Sequence, residues 1–196
     1  MLDKSLPFAK LKMVHKAGTP IPEYPLPEGF KFVFYKEGDE HEWARIETSV
    51  DEFDNEFAAL LRFKEDFMPY LGELCRRCVF IETQSGEKVA TATAWWSFID
   101  LGRGVRARYA WLHWVSVADG FQGLGLGKAI TSYITNLLKE IEGDVDFYLS
   151  TQTWSYKAIN IYKQFGWQPC PDKVLYAKDQ KNHFKKAMKI LDNLTR

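Results

Sequence analysis

Hydrophobic and polar positions change period several times along the chain, and each change marks an element. After Gly29, Phe30, Phe32 and Phe34 alternate with Lys31, Val33 and Tyr35, the two-residue period of a strand, and the first strand is expected here. A helix is expected around Trp43 and Ile46. Phe57, Leu60, Leu61, Phe67 and Leu71 suggest a second helix, whose end Pro69 limits. CVFIET (78–83) and KVATATAWWSF (88–98) read as antiparallel strands joined at QSGE, where Gly86 suits a hairpin turn. In YAWLHWVSV (109–117), strict alternation puts Trp111, His113, Val115 and Val117 on one face and Leu112, Trp114 and Ser116 on the other.

The period then becomes helical. Ile130, Tyr133, Ile134, Leu137, Leu138 and Ile141 form one stripe, with Gly143 as a stop. VDFYLSTQT (145–153) is a further strand, and Ser155 is placed as N-cap of YKAINIYKQF, which Gly166 closes. Strand, loop and helix thus follow one another twice. Such repetition implies parallel strands whose carboxyl ends share an edge with the following helix N-termini, where ligands lodge. The tail aligns Phe184, Ala187, Met188 and Leu191 on one helix face.

Four of the eight prolines fall between Pro20 and Pro27, which favours an extended segment. The expected organisation is an N-terminal extended arm (1–28), one α/β domain (29–177) and a basic amphipathic C-terminal helix (178–196) packed on the domain. With 196 residues, 46% of them hydrophobic, a single compact domain is the natural size. The 26 Lys and Arg balance 26 Asp and Glu, so no global positive field gathers nucleic acid. No apolar run is long enough to span a bilayer and MLDKSLPFAKLK lacks a signal-peptide core, so a cytoplasmic protein with no membrane partner is expected. The residues 37–56 carry nine carboxylates against Arg45. Cys75 and Cys78 have metal-like spacing but no second ligand pair, since His15, His41, His113 and His183 are scattered; no metal is expected, and the cysteines read as buried structural thiols.

The informative stretch is VSVADGFQGLGLGKAI, where a strand ends, glycines alternate at 123, 125 and 127, and the long helix begins. Glycine permits the tight turn and leaves no Cβ to hold an anion away, while a helix N-terminus contributes about half a positive charge. A pyrophosphate fits this chemistry. The Walker pattern fails at Gln122 and Ala129, and the dinucleotide pattern GxGxxG fails at Lys128 and Ile130. Gln122, Gly125 and Gly127 match Gln/Arg-x-x-Gly-x-Gly/Ala, and the loop resembles the acetyl-CoA loop of the GNAT N-acetyltransferases. TWSYKAINIYKQFGW is similar to the family's second cofactor segment through Ala158, Tyr162, Gly166 and Trp167, with Ser155 where Asn is usual. The likeness in order covers roughly Phe30 to Trp167.

The resemblance implies a GNAT-like α/β domain with a mixed, mainly antiparallel sheet of six or seven strands flanked by helices, and a splayed parallel strand pair at the cofactor site. It implies acetyl transfer from acetyl-CoA to a primary amine in a ternary complex, without a metal. The expected partner is a small-molecule or peptide amine, with a homodimer left open. The cofactor would be held by Val115, Ser116 and Val117, by Gln122, Gly123, Leu124, Gly125, Leu126, Gly127 and Lys128, and by Ser155, Ala158 and Tyr162. Tyr162 would protonate the departing sulfur. His113 is the expected general base, because an imidazole pKa of ~6.5 suits proton removal near neutrality; Glu82 and Asp100 are fallback bases. Trp95, Trp111 and Trp114 are expected to wall the acceptor pocket. The competing reading is a non-catalytic acyl-CoA-binding regulatory or interaction module, left open by Ser155.

Overall fold

The computed structural model describes residues 2–102, 104–171 and 181–194. Its strands are β1 (Lys10–His15), β2 (Phe30–Phe34), β3 (Cys78–Thr83), β4 (Lys88–Gly102), β5 (Val105–Val117), β6 (Phe147–Gln152) and β7 (Gln168–Pro169). Its α-helices are α1 (Glu40–Ser49), α2 (Glu56–Phe67), α3 (Leu71–Leu74), α4 (Leu126–Glu142), α5 (Tyr156–Gln164) and α6 (Lys181–Leu194). The seven strands form one sheet in the order β2-β3-β4-β5-β6-β1-β7. β5 and β6 are parallel, with Trp111 opposite Tyr148 and Leu112 opposite Leu149. The expected mixed, mainly antiparallel sheet is therefore present, with seven strands.

The first strand comes earlier than expected. Lys10–His15 lies between β6 and β7 and is antiparallel to both. Lys10 and Lys12 alternate with Leu11 and Met13, which are fully buried, and Val14 and His15 extend the buried run. Two lysines in six residues hide a strand whose other positions are wholly enclosed by its neighbours.

The domain's chain forms two compact units, the first comprising residues 23–94 and 113–137, the second residues 2–22, 95–112 and the described residues from Leu138 on. In the first, Trp43 packs edge-on against Phe63 and Phe67. α2 starts at Asn55, whose side chain accepts from the Ala58 amide at 2.9 Å, an N-cap that satisfies one of the helix's free donors. Its buried face is Ala59, Phe63 and Phe67 rather than the expected stripe, for Phe57 and Leu61 are exposed. The physical reason is that the three-to-four residue spacing holds for 59, 63 and 67, and Phe57 lies off that face. α4 buries Leu126, Ile130, Ile134 and Leu138, and the left-handed Gly143 ends it.

In the second unit, Val14, Trp111, Tyr148 and Cys170 form an apolar cluster against which Phe184 of α6 packs. α6 also buries Ala187 and Leu191. Residues 178–180, 195 and 196 of the expected tail helix lie outside the described residues. Among the described residues no helix is long and apolar enough to cross a membrane.

Candidate active site

β5 delivers the expected site residues, and its backbone departs from the alternation read from sequence. Trp114 has φ +50°, in the left-handed region that a bulky side chain rarely occupies. One left-handed residue breaks the period of two, so His113 and Trp114 both answer to the same ion pair on α2. Trp114 Nε1 donates to Asp66 Oδ2 at 3.0 Å, and the Arg62 guanidinium lies 5.9 Å from the Trp114 ring centre. His113 is driven down to about 4, first by burial, with Asp66 pulling it up and Arg62 pushing it lower. The imidazole is neutral at pH 7, as a base must be, but it accepts a proton far less readily than the ordinary imidazole pKa of ~6.5 implies.

Glu82 is differently occupied. It pairs with Lys31 at 2.8 Å and Lys88 at 3.6 Å, and the Lys31 hydrogen bond is the main reason its carboxyl is held below the ordinary range. Asp100 lies in β4 and is exposed. In the sequence Glu47 is one carboxylate of an acidic stretch, yet it is fully buried on α1, alongside Trp43, Ala44 and Ile46. Ser116 Oγ donates to Glu47 Oε2 at 2.9 Å, while Oε1 is buried with no hydrogen-bond partner among the described residues. Burial pushes the Glu47 carboxyl up to about 8, against the Ser116 hydrogen bond and with help from Glu52. Its place one turn after Trp43 was the signal available in the sequence.

The loop after β5 has the geometry that its glycines suggest. Gln122 Nε2 donates back to the Val117 carbonyl at 3.1 Å, closing the turn. Gly123 and Gly125 have φ of +83° and +85°, conformations that favour glycine. The amides of Lys128 and Ala129 both bond to the Gly125 carbonyl at 3.1 Å, so α4 begins directly from this turn. The first amides of a helix have no intrahelical acceptor, which leaves those of Leu126 and Gly127 for an anion. A Cβ built on Gly123 meets nothing within 4 Å, so the loop is open at that point. A Cβ on Gly125 would stand 3.2 Å from the Tyr24 hydroxyl, and Lys128 Nζ lies 5.5 Å from the Tyr24 ring centre. The proline-rich segment is thus packed on the loop. A diphosphate fits these residues.

In the second unit, Tyr162 lies on the buried side of α5, its ring centre 6.4 Å from that of Trp167. Ala158 is half-buried on the same helix. Ser155 occupies the N-cap position but makes no capping hydrogen bond, contrary to expectation, because its backbone (φ −93°, ψ +31°) is outside the extended region in which caps form. Gly166, at φ +84°, follows α5. Of the three tryptophans, Trp95 is stacked on Trp96 with ring centres 4.1 Å apart, and Trp111 is buried in the Tyr148 cluster with Lys12 Nζ 5.1 Å from its ring centre. Trp114, in the first unit, is half-buried against Trp43 and Phe53. β1 and β6 line a cavity of about 270 Å³ bounded by Phe8, Lys10, Lys12, Ser150 and Gln152. The sequence carries no signal for it, since the lysines of β1 mask the pattern of a buried strand.

All three cysteines are free. Cys78 is buried and its thiol pushed up to about 12 by burial, whereas Cys75 is exposed, against the expectation of buried thiols. Among the described residues no group of three or more His, Cys, Asp or Glu could hold a metal ion.

Comparison with known proteins agrees with this arrangement. Residues 19–167 match the model of the acetyltransferase (GNAT) family. No curated protein matches the chain. A GCN5-related N-acetyltransferase from Sphaerobacter thermophilus is similar in structure, with 18% identity and a TM-score of 0.62 over 84% of this chain and 49% of that one. An acetyltransferase of the GNAT family from Colwellia psychrerythraea has 14% identity and a TM-score of 0.58 over 86% of this chain and 55% of its own. A glucosamine N-acetyltransferase region of a fungal multi-domain β-N-acetylglucosaminidase has 14% identity and a TM-score of 0.55, over 87% of this chain and 20% of that one. The chain therefore spans about half the length, or less, of these structures, and shares their fold. A family match over residues 19–167, on a seven-stranded sheet with the glycine loop opening α4, means that this chain belongs to the GNAT acetyltransferase family.

Proposed function

We propose that the chain transfers an acetyl group from acetyl-CoA to a primary amine by direct attack in a ternary complex. The observation that carries the reading is the loop Gln122–Lys128, in which two left-handed glycines turn β5 into the N-terminus of α4. Backbone amides there receive a diphosphate without desolvating a side-chain cation, and the helix N-terminus favours the negative charge. Lys128 adds a cation beside the loop, and Val115, Ser116 and Val117 present main-chain groups for the pantetheine arm.

In this reading Tyr162 donates its hydroxyl proton to the departing sulfur, so that a thiol rather than a thiolate leaves. His113 lines the site as a neutral imidazole. Trp114, half-buried where Trp95 and Trp111 are almost wholly enclosed, is the tryptophan with surface to offer an acceptor. The acceptor is a primary amine on a small molecule or peptide.

Melting the protein with and without coenzyme A tests the binding step. A ligand that binds only the native state stabilises it by about 2.7 kcal/mol at roughly a hundredfold excess over Kd. A rise in Tm that persists in EDTA is expected, and no rise at millimolar coenzyme A would overturn the reading. Free-thiol release from acetyl-CoA with a panel of alkylamines, polyamines, aminoglycosides and peptide N-termini then tests turnover.

A further inference from the structure

Burying a carboxyl group costs several kcal/mol unless it is paired or well hydrogen-bonded. Glu47 is fully buried, receives one hydrogen bond from Ser116 Oγ, forms no ion pair among the described residues, and leaves Oε1 without a hydrogen-bond partner among them. Packing does not explain it, for the rest of that helix face is Trp43, Ala44 and Ile46. The hydroxyl that engages its side chain, that of Ser116, is on β5, between Val115 and Val117 and just ahead of the glycine loop. Two residues upstream, Trp114 holds a left-handed backbone, a strain of the sort that concentrates at functional sites.

We propose that Glu47 and Ser116 form the proton-accepting pair of the acetyl transfer, Ser116 facing the amine and Glu47 receiving the proton through it. This rests on the acetyl-transfer reading above. As the amine nitrogen bonds to the acetyl carbon, its proton passes to Ser116 Oγ and the serine proton moves to Glu47 Oε2. The carbon–sulfur bond breaks with its electron pair on sulfur, which takes the Tyr162 proton. Return of the proton from Glu47 to the Tyr162 phenolate through solvent closes the cycle, with amide and thiol as the only products.

Proton affinity supports the assignment made on geometry. A carboxyl near 8 is matched to an amine far better than an imidazole near 4 or a Glu82 held low by two lysines. The ionisable groups that face Glu47 are Glu52, which raises it further, and the Cys78 thiol, which stays neutral at about 12. Neither supplies a counter-charge, so the carboxylate forms only at the alkaline end of the working range.

The test is the pH profile of acetyl transfer from acetyl-CoA to whichever amine of the panel the wild-type protein accepts, run beside the coenzyme A melting shift. Glu47→Gln is expected to lower kcat by ~10²-fold or more, to leave KM for acetyl-CoA unchanged and to abolish an acidic limb near pH 8. Ser116→Ala is expected to reproduce the loss and Ser116→Thr, which keeps the hydroxyl, to restore most of it. Should Glu47→Gln not fold, the two serine variants decide. A Glu47→Gln or Ser116→Ala protein with the wild-type limb and rate overturns the pair alone, because the intact wild-type activity would uphold acetyl transfer. Wild-type protein that binds coenzyme A yet acetylates no amine overturns both the turnover reading and this pair.

Discussion

The Tyr24 hydroxyl lies 3.2 Å from the point where a β-carbon on Gly125 would stand. Pro27 Cγ is 3.8 Å from the same point, and the Tyr24 amide donates to Ser132 Oγ on α4 at 3.2 Å. The proline-rich segment is thereby fastened along the start of the helix that the loop opens. At φ +85°, Gly125 accommodates both the turn and the tyrosine only because it lacks a side chain.

Gly125→Ala is accordingly expected to retain the fold but distort the loop. The left-handed backbone costs an L-residue ~1 to 2 kcal/mol, and the tyrosine must also yield by a few tenths of an ångström. Coenzyme A should then give little or no rise in Tm. Adding Tyr24→Ala relieves the contact and leaves the backbone cost, so the double variant should recover only part of the shift; full recovery would assign the whole effect to the tyrosine.

Gly166→Ala tests the second unit. A Cβ there falls 2.6 Å from Thr19 Cγ2 and 3.2 Å from His15 Nε2, at φ +84°. Strain and overpacking together should cost ~2 to 4 kcal/mol. Urea unfolding measures it as a lower midpoint with an unchanged slope.

Tyr162→Phe keeps the ring against Trp167 and removes the hydroxyl. Loss of a general acid typically lowers the rate ~10²- to 10⁴-fold, so kcat should fall on that scale while KM for acetyl-CoA and the Tm hold. Wild-type turnover in this variant would return Tyr162 to a packing role.

Burial gives His113 and Glu47 opposite pH dependences. His113 has a folded pKa below the ordinary 6.5, so its contribution is present above pH 6.5 and is lost as pH falls toward 4. His113→Gln should spare the protein ~2 kcal/mol of the stability lost between pH 6.5 and 5. Glu47 has a folded pKa raised above 4.5, so its contribution is present below pH 4.5 and is lost as pH rises through 8. Relative to Glu47→Gln, the wild type should lose ~3 kcal/mol between pH 5 and 7.5. Melting both variants across pH 5 to 8 reads the two slopes, and parallel curves for wild type and variant would contradict the assignment.

What the sequence determined by itself is what depends on local chemistry. The stripe on α4, the glycines at 123 and 125 and the Phe32-containing strand are each fixed by neighbours a few residues away, through helical period, backbone freedom and side-chain alternation. Order along the chain also made the family legible from Gln122 to Trp167. Tertiary structure alone decided whatever depends on distant partners. β1 exists as an interior strand, next to the edge of the sheet, because β6 and β7 flank it, although its lysines suggest an exposed segment. Trp114 takes a left-handed backbone beside Asp66 and Arg62, so strict alternation mispredicts which side chains of β5 share surroundings. Glu47 reads as one carboxylate in an acidic run until folding removes it from water and sets Ser116 beside it. Proton affinity is a property of surroundings rather than of residue type, and those surroundings form only when segments far apart in sequence pack together.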